Sequence, residues 1–168
     1  MNITHRFPTN MDLLDLAARL RPQDIKELQA VCDFWPNQAD LSPENPAIRL
    51  AKIQAVTESV RRSDPDFLRA WFCDEELVCI AGCAPRSMLM AAPWLLGTDK
   101  LDGCLKSLHK LAGQGVREML AIYPTLFNIV DERQLKVVNW LKALGFEIVD
   151  CPAVKPGFGV KGFLMRAG

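Results

Sequence analysis

The sequence predicts a single α+β domain, built as a mixed, mostly antiparallel sheet with helices on both faces. Three observations predict it. Strand-like and helix-like segments follow one another as strand, helices, strand hairpin, strand, helix, strand, helix, strand, strand, an order that calls for layered packing. At 168 residues the chain can fill one core and is most simply one domain, residues 1–168. Hydrophobic residues are 49% and charged residues 24% of it, which excludes a disordered chain.

Asn2–Arg6 reads as a short first strand. Thr9 or Asn10 can cap the helix that follows, with Asp12 in its first turn and Leu13, Leu16, Ala17 and Leu20 as its apolar stripe. Arg21-Pro22-Gln23-Asp24 breaks that helix, and Asp24 reopens another with Ile25, Leu28, Val31 and Cys32 inward. The loop 32–46 holds Pro36, Pro43 and Pro46, and its adjacent Phe34 and Trp35 read as a plug for the core, with a partner-binding lip as the alternative. Pro46 starts a third helix with a weak stripe of Ile48, Ala51, Ala55 and Val56, and Arg61-Arg62 complements the dipole at its end. Phe67–Cys73 and Leu77–Cys83 then pair as an antiparallel hairpin around Asp74-Glu75-Glu76, buried on both sides. Met88–Leu96 is the next strand. From Thr98, with Thr98 or Asp99 as cap, a helix carries Leu101, Cys104, Leu105, Leu108, Leu111 and Ala112 at helical spacing. Gly113-Gln114-Gly115 interrupts it, and 116–121 either resumes the helix or joins the next strand.

The stretch Tyr123–Asp150 organises the rest. It holds a strand (Leu126–Val130), the acidic turn Asp131-Glu132, a helix over about Gln134–Leu144 and a strand (Phe146–Val149). In that helix Val137, Val138, Trp140, Leu141 and Leu144 share one face, with Lys136, Asn139, Lys142 and Ala143 opposite. Gly145 stands where a helix closes in a left-handed turn. After a turn at 154–159, Val160–Met165 is the last strand. The helix ending in Leu144-Gly145-Phe146 resembles the closing β-α-β segment of the GNAT-type acyltransferases. With WLLGTDKL (Trp94–Leu101), Tyr123-Pro124, NIVDERQ and NWLKALGF, the chain also resembles a family from short-tailed bacteriophages described as internal virion protein A, a GNAT-like group. The resemblance implies a GNAT-like fold, a role in the phage particle, and phage structural or internal virion proteins as partners. It places the protein in the host cytoplasm, with the virion as a second location.

Composition excludes several functions. Twenty basic and twenty acidic residues cancel, so no overall field draws the chain to nucleic acid or anionic lipid. The start MNITHRFPTN has no apolar core of signal-peptide length, and no stretch approaches a membrane span. The six cysteines read as buried, reduced thiols of a cytosolic protein. Cys79 and Cys83 lack the spacing of a zinc or redox pair, so no metal is expected. There is no G-x-S-x-G elbow and no Cys with a His beside it.

In GNAT enzymes, as the resemblance implies, a glycine-rich basic turn before a helix cradles the pyrophosphate of coenzyme A on its amides. The matching turn here is Leu96–Gly103, which lacks Arg and carries Asp99 and Asp102, so it reads as a helix cap rather than a phosphate cradle. The resemblance also implies a proton-donating Tyr four residues before Gly145, where Leu141 stands, and an Asn for the pantetheine arm, where Gln134 stands. Asp131 and Glu132 are the carboxylates nearest the implied cleft and the candidate bases. Their plainer role is a turn at a helix N-terminus. Trp94, Leu96, Gly97, Thr98 and Gln134 are the candidate cofactor contacts. Two functions follow. One is a non-catalytic or degenerate GNAT fold used in virion assembly, with no cofactor. The other is an acetyl-CoA-dependent N-acetyltransferase acting on a protein or small amine.

Overall fold

A computed structural model describes residues 2–36, 42, 45–151 and 159–168. In chain order it contains β1 (Ile3–Arg6), α1 (Asn10–Ala18), α2 (Pro22–Val31), α3 (Pro46–Arg61), a 3-10 turn (Pro65–Phe67), β2 (Arg69–Cys73), β3 (Glu76–Pro85) and β4 (Met90–Gly97). α4 (Leu101–Ile122), β5 (Thr125–Asp131), α5 (Leu135–Ala143), β6 (Glu147–Val149) and β7 (Val160–Arg166) complete it. The seven strands lie in the order β1-β2-β3-β4-β5-β7-β6, and every neighbouring pair is antiparallel except β4 with β5.

β3 is apolar on both faces and is therefore covered on both. Leu77 and Ile80 pack against α1, α2 and α3, in a core with Leu16, Leu28, Val56 and Leu96. Val78 and Cys79 instead face α4, beside Leu101, Cys104 and Leu108. Two consecutive residues share that face because the register slips: Trp71 pairs with Cys79 but Phe72 pairs with Leu77, leaving Val78 as a bulge. A third cluster, with Leu126, Val138, Leu141, Phe146 and Phe163, lies under α5 and the end of α4. The β2–β3 hairpin turns through Asp74 and Glu75, both left-handed (φ 49° and 70°), the geometry that tight two-residue turns require.

Several expectations are met. Thr9 caps α1 in a reciprocal box with Asp12, Pro46 opens α3, and Gly145 takes φ 101°. Trp35 is buried in the core while Phe34 stays partly exposed. The sequence pattern fails in four places. α4 runs unbroken for 22 residues through Gly113 and Gly115, because its apolar stripe continues past them with Val116 and Met119. α2 opens at Pro22 rather than Asp24, and Asp24 is buried while Val31 is exposed. Asp99 caps nothing; its side chain is 72% exposed. Cys79, Cys83 and Cys104 are buried, but Cys32, Cys73 and Cys151 are only half-buried. The turn at 154–158 and Pro43 lie outside the described residues. Among those residues, no helix is long and apolar enough to cross a membrane.

Candidate functional site

β4 and β5 pair only at Met90–Thr125 and Ala91–Leu126, and beyond those positions the parallel ladder stops. Pro93 explains the stop. Its carbonyl faces β5, where it accepts from Asn128 Nδ2 at 2.9 Å. Its nitrogen faces the same way and has no hydrogen to give, so no ladder bond can form there. The split opens into a cavity of about 350 Å³, lined by Trp94, Leu96, Asn128 and Leu141, with Glu27 and Arg62 from the helices on the other side. Asn128 staples the split, since its Oδ1 also accepts from the Ile129 amide at 2.9 Å.

At the end of β4 the chain turns into α4, and here α2 docks. Asp24 Oδ2 accepts from the Gly97 amide at 2.8 Å, and both Asp24 oxygens take the Arg21 guanidinium at 2.7 and 3.0 Å. Arg21 also reaches Asp102 at 2.8 Å, and its amide donates to the Gly97 carbonyl. Both Arg21 and Asp24 are buried. Burial pushes the Asp24 carboxyl up against the pull of Arg21. Gly97 is required by packing: a Cβ there would stand 2.5 Å from Leu101 Cδ2 and 3.1 Å from Arg21 Nε. The Thr98 amide donates to the Val78 carbonyl, and the Thr98 hydroxyl donates to Leu77 and Val78. Leu101 and Gly103 amides donate to Thr98 and Lys100 carbonyls.

One turn along α2, Glu27 lies at the C-terminal end of β5. Its Oε1 accepts from the Asp131 amide at 2.8 Å and from Gln134 Nε2 at 3.2 Å. Burial raises its carboxyl to about 8. Asp131 behaves in the opposite way. Burial opposes its charge, but the side chain and amide of Arg133 outweigh it, at 2.7–3.0 Å, and hold the carboxyl below its ordinary range. Glu132 is exposed and pairs with Lys161 at 3.7 Å.

The structure therefore brings Trp94, Leu96 and Leu141 into the cavity wall and ties Gln134 to Glu27 beside it, but leaves Gly97 and Thr98 outside the lining with their amides engaged. Asp131 contributes its amide to Glu27, while Asp131 and Glu132 turn their carboxylates to Arg133 and Lys161. Sequence reasoning missed Arg21, Asp24 and Glu27. A signal was present: Asp24, Glu27, Leu28 and Val31 recur at helical spacing, so two carboxylates share a face with a core leucine. Among the described residues no group of three His, Cys, Asp or Glu gathers to hold a metal ion.

The pyrophosphate of coenzyme A does not fit this turn. Five of its amides are committed, at 97, 98, 100, 101 and 103, and the carboxylates of Asp24, Asp99 and Asp102 surround it. Arg21, buried beside the turn, is spent on two of them, and Lys100, within it, faces Glu76 at 3.8 Å.

No protein-family model and no curated protein matches the sequence. The fold does match solved structures. A protein of Pyrococcus horikoshii superposes with a TM-score of 0.68 at 12% identity, over 99% of both chains. PaiA N-acetyltransferase of Thermoplasma acidophilum, solved with coenzyme A, gives 0.63 at 11% identity, covering 99% of this chain and all of that one. Ribosomal-protein-alanine N-acetyltransferase of Brucella melitensis gives 0.60 at 15% identity, over 98% and 99%. The chain has the fold of the GNAT acetyltransferases, and at such identities the likeness concerns fold alone.

Proposed function

We propose that this chain is a phage-encoded protein on an acetyltransferase scaffold that is non-catalytic or degenerate, and that it serves virion assembly by binding phage structural or internal virion proteins. The observation that carries the loss of catalysis is the Asp24 carboxylate on the Gly97 amide, where a cofactor phosphate is expected. Leu141 in the cavity wall, which can neither give nor take a proton, supports the same reading. The phage role rests on the resemblance carried by WLLGTDKL and NWLKALGF. Apolar surface for a partner is available on the outer faces of α1 and α3, where Met11, Leu14, Leu50 and Ile53 are exposed, and at Phe34. The test is a titration with acetyl-CoA followed by melting temperature. The expected result is no shift at millimolar ligand, and a shift at micromolar ligand overturns the proposal. Co-elution with phage internal or structural proteins on gel filtration tests the partner.

A second reading, a working acetyl-CoA-dependent N-acetyltransferase, is favoured by one observation. Glu27 lines the cavity beside the β4–β5 split with its carboxyl raised to about 8, a suitable acceptor for an ammonium proton. In that reading Glu27 is the base, and Asp131 and Glu132 are its neighbours at the end of β5. Trp94, Leu96, Gly97, Thr98 and Gln134 would be the cofactor contacts. Acetyl transfer to an amine that Glu27→Gln abolishes would establish it.

A further inference from the structure

Two thiols from distant parts of the chain meet under the start of α4. Side chains alternate along β2, so Trp71 and Cys73 share one face, and both pack against the cluster that α4 buries on the sheet. Cys104 belongs to that cluster, beside Val78, Cys79 and Leu101, and stands in the first turn of α4. Its thiol donates to the Cys73 sulfur, and the Cys73 thiol donates to Asp74 Oδ2 at 3.8 Å. Both cysteines are free, and they differ in access: Cys73 is half-buried, whereas Cys104 is 5% exposed. Burial, with the Cys73 sulfur as the next cause, pushes the Cys104 thiol up to about 11. Cys73 is therefore the thiol that a dissolved oxidant meets first, with Cys104 directly behind it. Cys79, the third thiol of the cluster, is closed to solvent.

We propose that Cys73 and Cys104 form a reversible dithiol–disulfide pair, oxidised by a low-molecular-weight disulfide of the glutathione type. The Cys73 thiolate attacks one sulfur of that disulfide, whose S–S bond breaks and releases one small thiol. Cys104 then gives up its proton and attacks the Cys73 sulfur, which closes the protein disulfide and releases the second small thiol. Two protein thiols are oxidised and one small disulfide is reduced, and the protons lost by the protein end on the two released thiols. Excess small thiol reverses both steps. The bond fastens the first turn of α4 to β2 and encloses β3 and β4 in a covalent loop. It stands apart from the Asp24–Gly97 contact and does not depend on the function proposed above.

Incubation of the full chain with excess oxidised glutathione tests the proposal, with free thiols then trapped by N-ethylmaleimide and the chain digested without reductant for mass spectrometry. The expected product is a peptide pair joined through Cys73 and Cys104, which dithiothreitol separates. Oxidation raises the melting midpoint by at least ~3 °C, because the crosslink restricts the unfolded chain. Cys104→Ala leaves Cys73 carrying glutathione as a mixed disulfide, and Cys73→Ser leaves Cys104 unmodified; neither variant shows the rise. Cys73→Ser alters only a half-buried side chain, so it serves where Cys104→Ala does not fold. Cys32→Ser leaves the crosslink in place. The absence of a joined peptide, with or without glutathione on Cys73, overturns the proposal. So does a joined pair in which Cys73 or Cys104 bonds a different cysteine, a crosslink found only between chains, or a crosslink that lowers the midpoint.

Discussion

The Asp24 carboxylate accepts the Gly97 amide at 2.8 Å, across 73 residues of sequence, and so fixes α2 to the end of β4. The same carboxylate holds Arg21, and both groups are buried. Removing Asp24 leaves the Gly97 amide without its acceptor and the buried Arg21 with only the half-exposed Asp102 as counter-charge. Asp24→Ala is therefore expected to cost about 3–5 kcal/mol, read as a fall in denaturation midpoint. Asp24→Asn keeps an acceptor for the amide and should cost less. Equal costs would show that the hydrogen bond to Gly97 contributes little.

Glu27 makes stability depend on pH in a defined window. The folded chain holds this proton until about pH 8, whereas the unfolded chain releases it near 4.5. Between those values the folded state binds more protons, so rising pH favours unfolding, by at most about 1.4 kcal/mol per pH unit. The contribution is fully present below the unfolded value and gone once pH passes the folded one. Glu27→Gln removes this slope. Urea midpoints of the two proteins at pH 5 and pH 8.5 should diverge, with the variant relatively more stable at the higher pH.

Asn128 closes the opening that Pro93 creates. Asn128→Ala removes the bond to the Pro93 carbonyl and the one to the Ile129 amide, at a cost of about 1–2 kcal/mol. Faster hydrogen exchange at Ile129 than at strand positions of β3 is the specific readout. An unchanged exchange rate would mean that the split is held by packing alone.

How much of this was legible in the sequence depends on whether the signal was local. The capping box at Thr9-Asp12, the turn at Asp74-Glu75 and the left-handed Gly145 are short-range chemistry, and each was readable. Pro93 within a strand was readable too, although its meaning depends on which neighbour it faces. The Arg21–Asp24–Gly97 cluster was not, because it joins positions far apart, and a lone Arg-x-x-Asp at a helix start resembles ordinary surface capping. Asp99 misled for the same reason: its type and place suit a cap, yet Thr98 is bound to β3 and leaves the helix without one from Asp99. Carboxylate positions near Asp131 were visible, but which carboxylate meets the cavity was decided by α2 docking on β5.

Gly113 and Gly115 give the clearest test of where propensity yields to packing. Local chemistry predicts a break in the helix at both, yet α4 passes through them because Val116 and Met119 extend its buried stripe. In that setting each glycine only weakens the helix. A Cβ at Gly113 would meet Arg117 Nη1 at 3.7 Å and Leu144 Cδ2 at 3.8 Å, ordinary contact distances, and one at Gly115 would meet nothing within 4 Å. Both have ordinary helical backbone, since the left-handed glycines are Gly145 and Gly159. Gly113→Ala and Gly115→Ala are therefore each expected to stabilise the protein by about 0.5–1 kcal/mol, through a smaller loss of backbone freedom on folding. Being two residues apart on different helix faces, their effects should add. The measurement is the denaturation midpoint of both single variants and the double. A destabilised Gly113→Ala or Gly115→Ala would mean that the helix is broken there after all, with a glycine conformation that alanine cannot take.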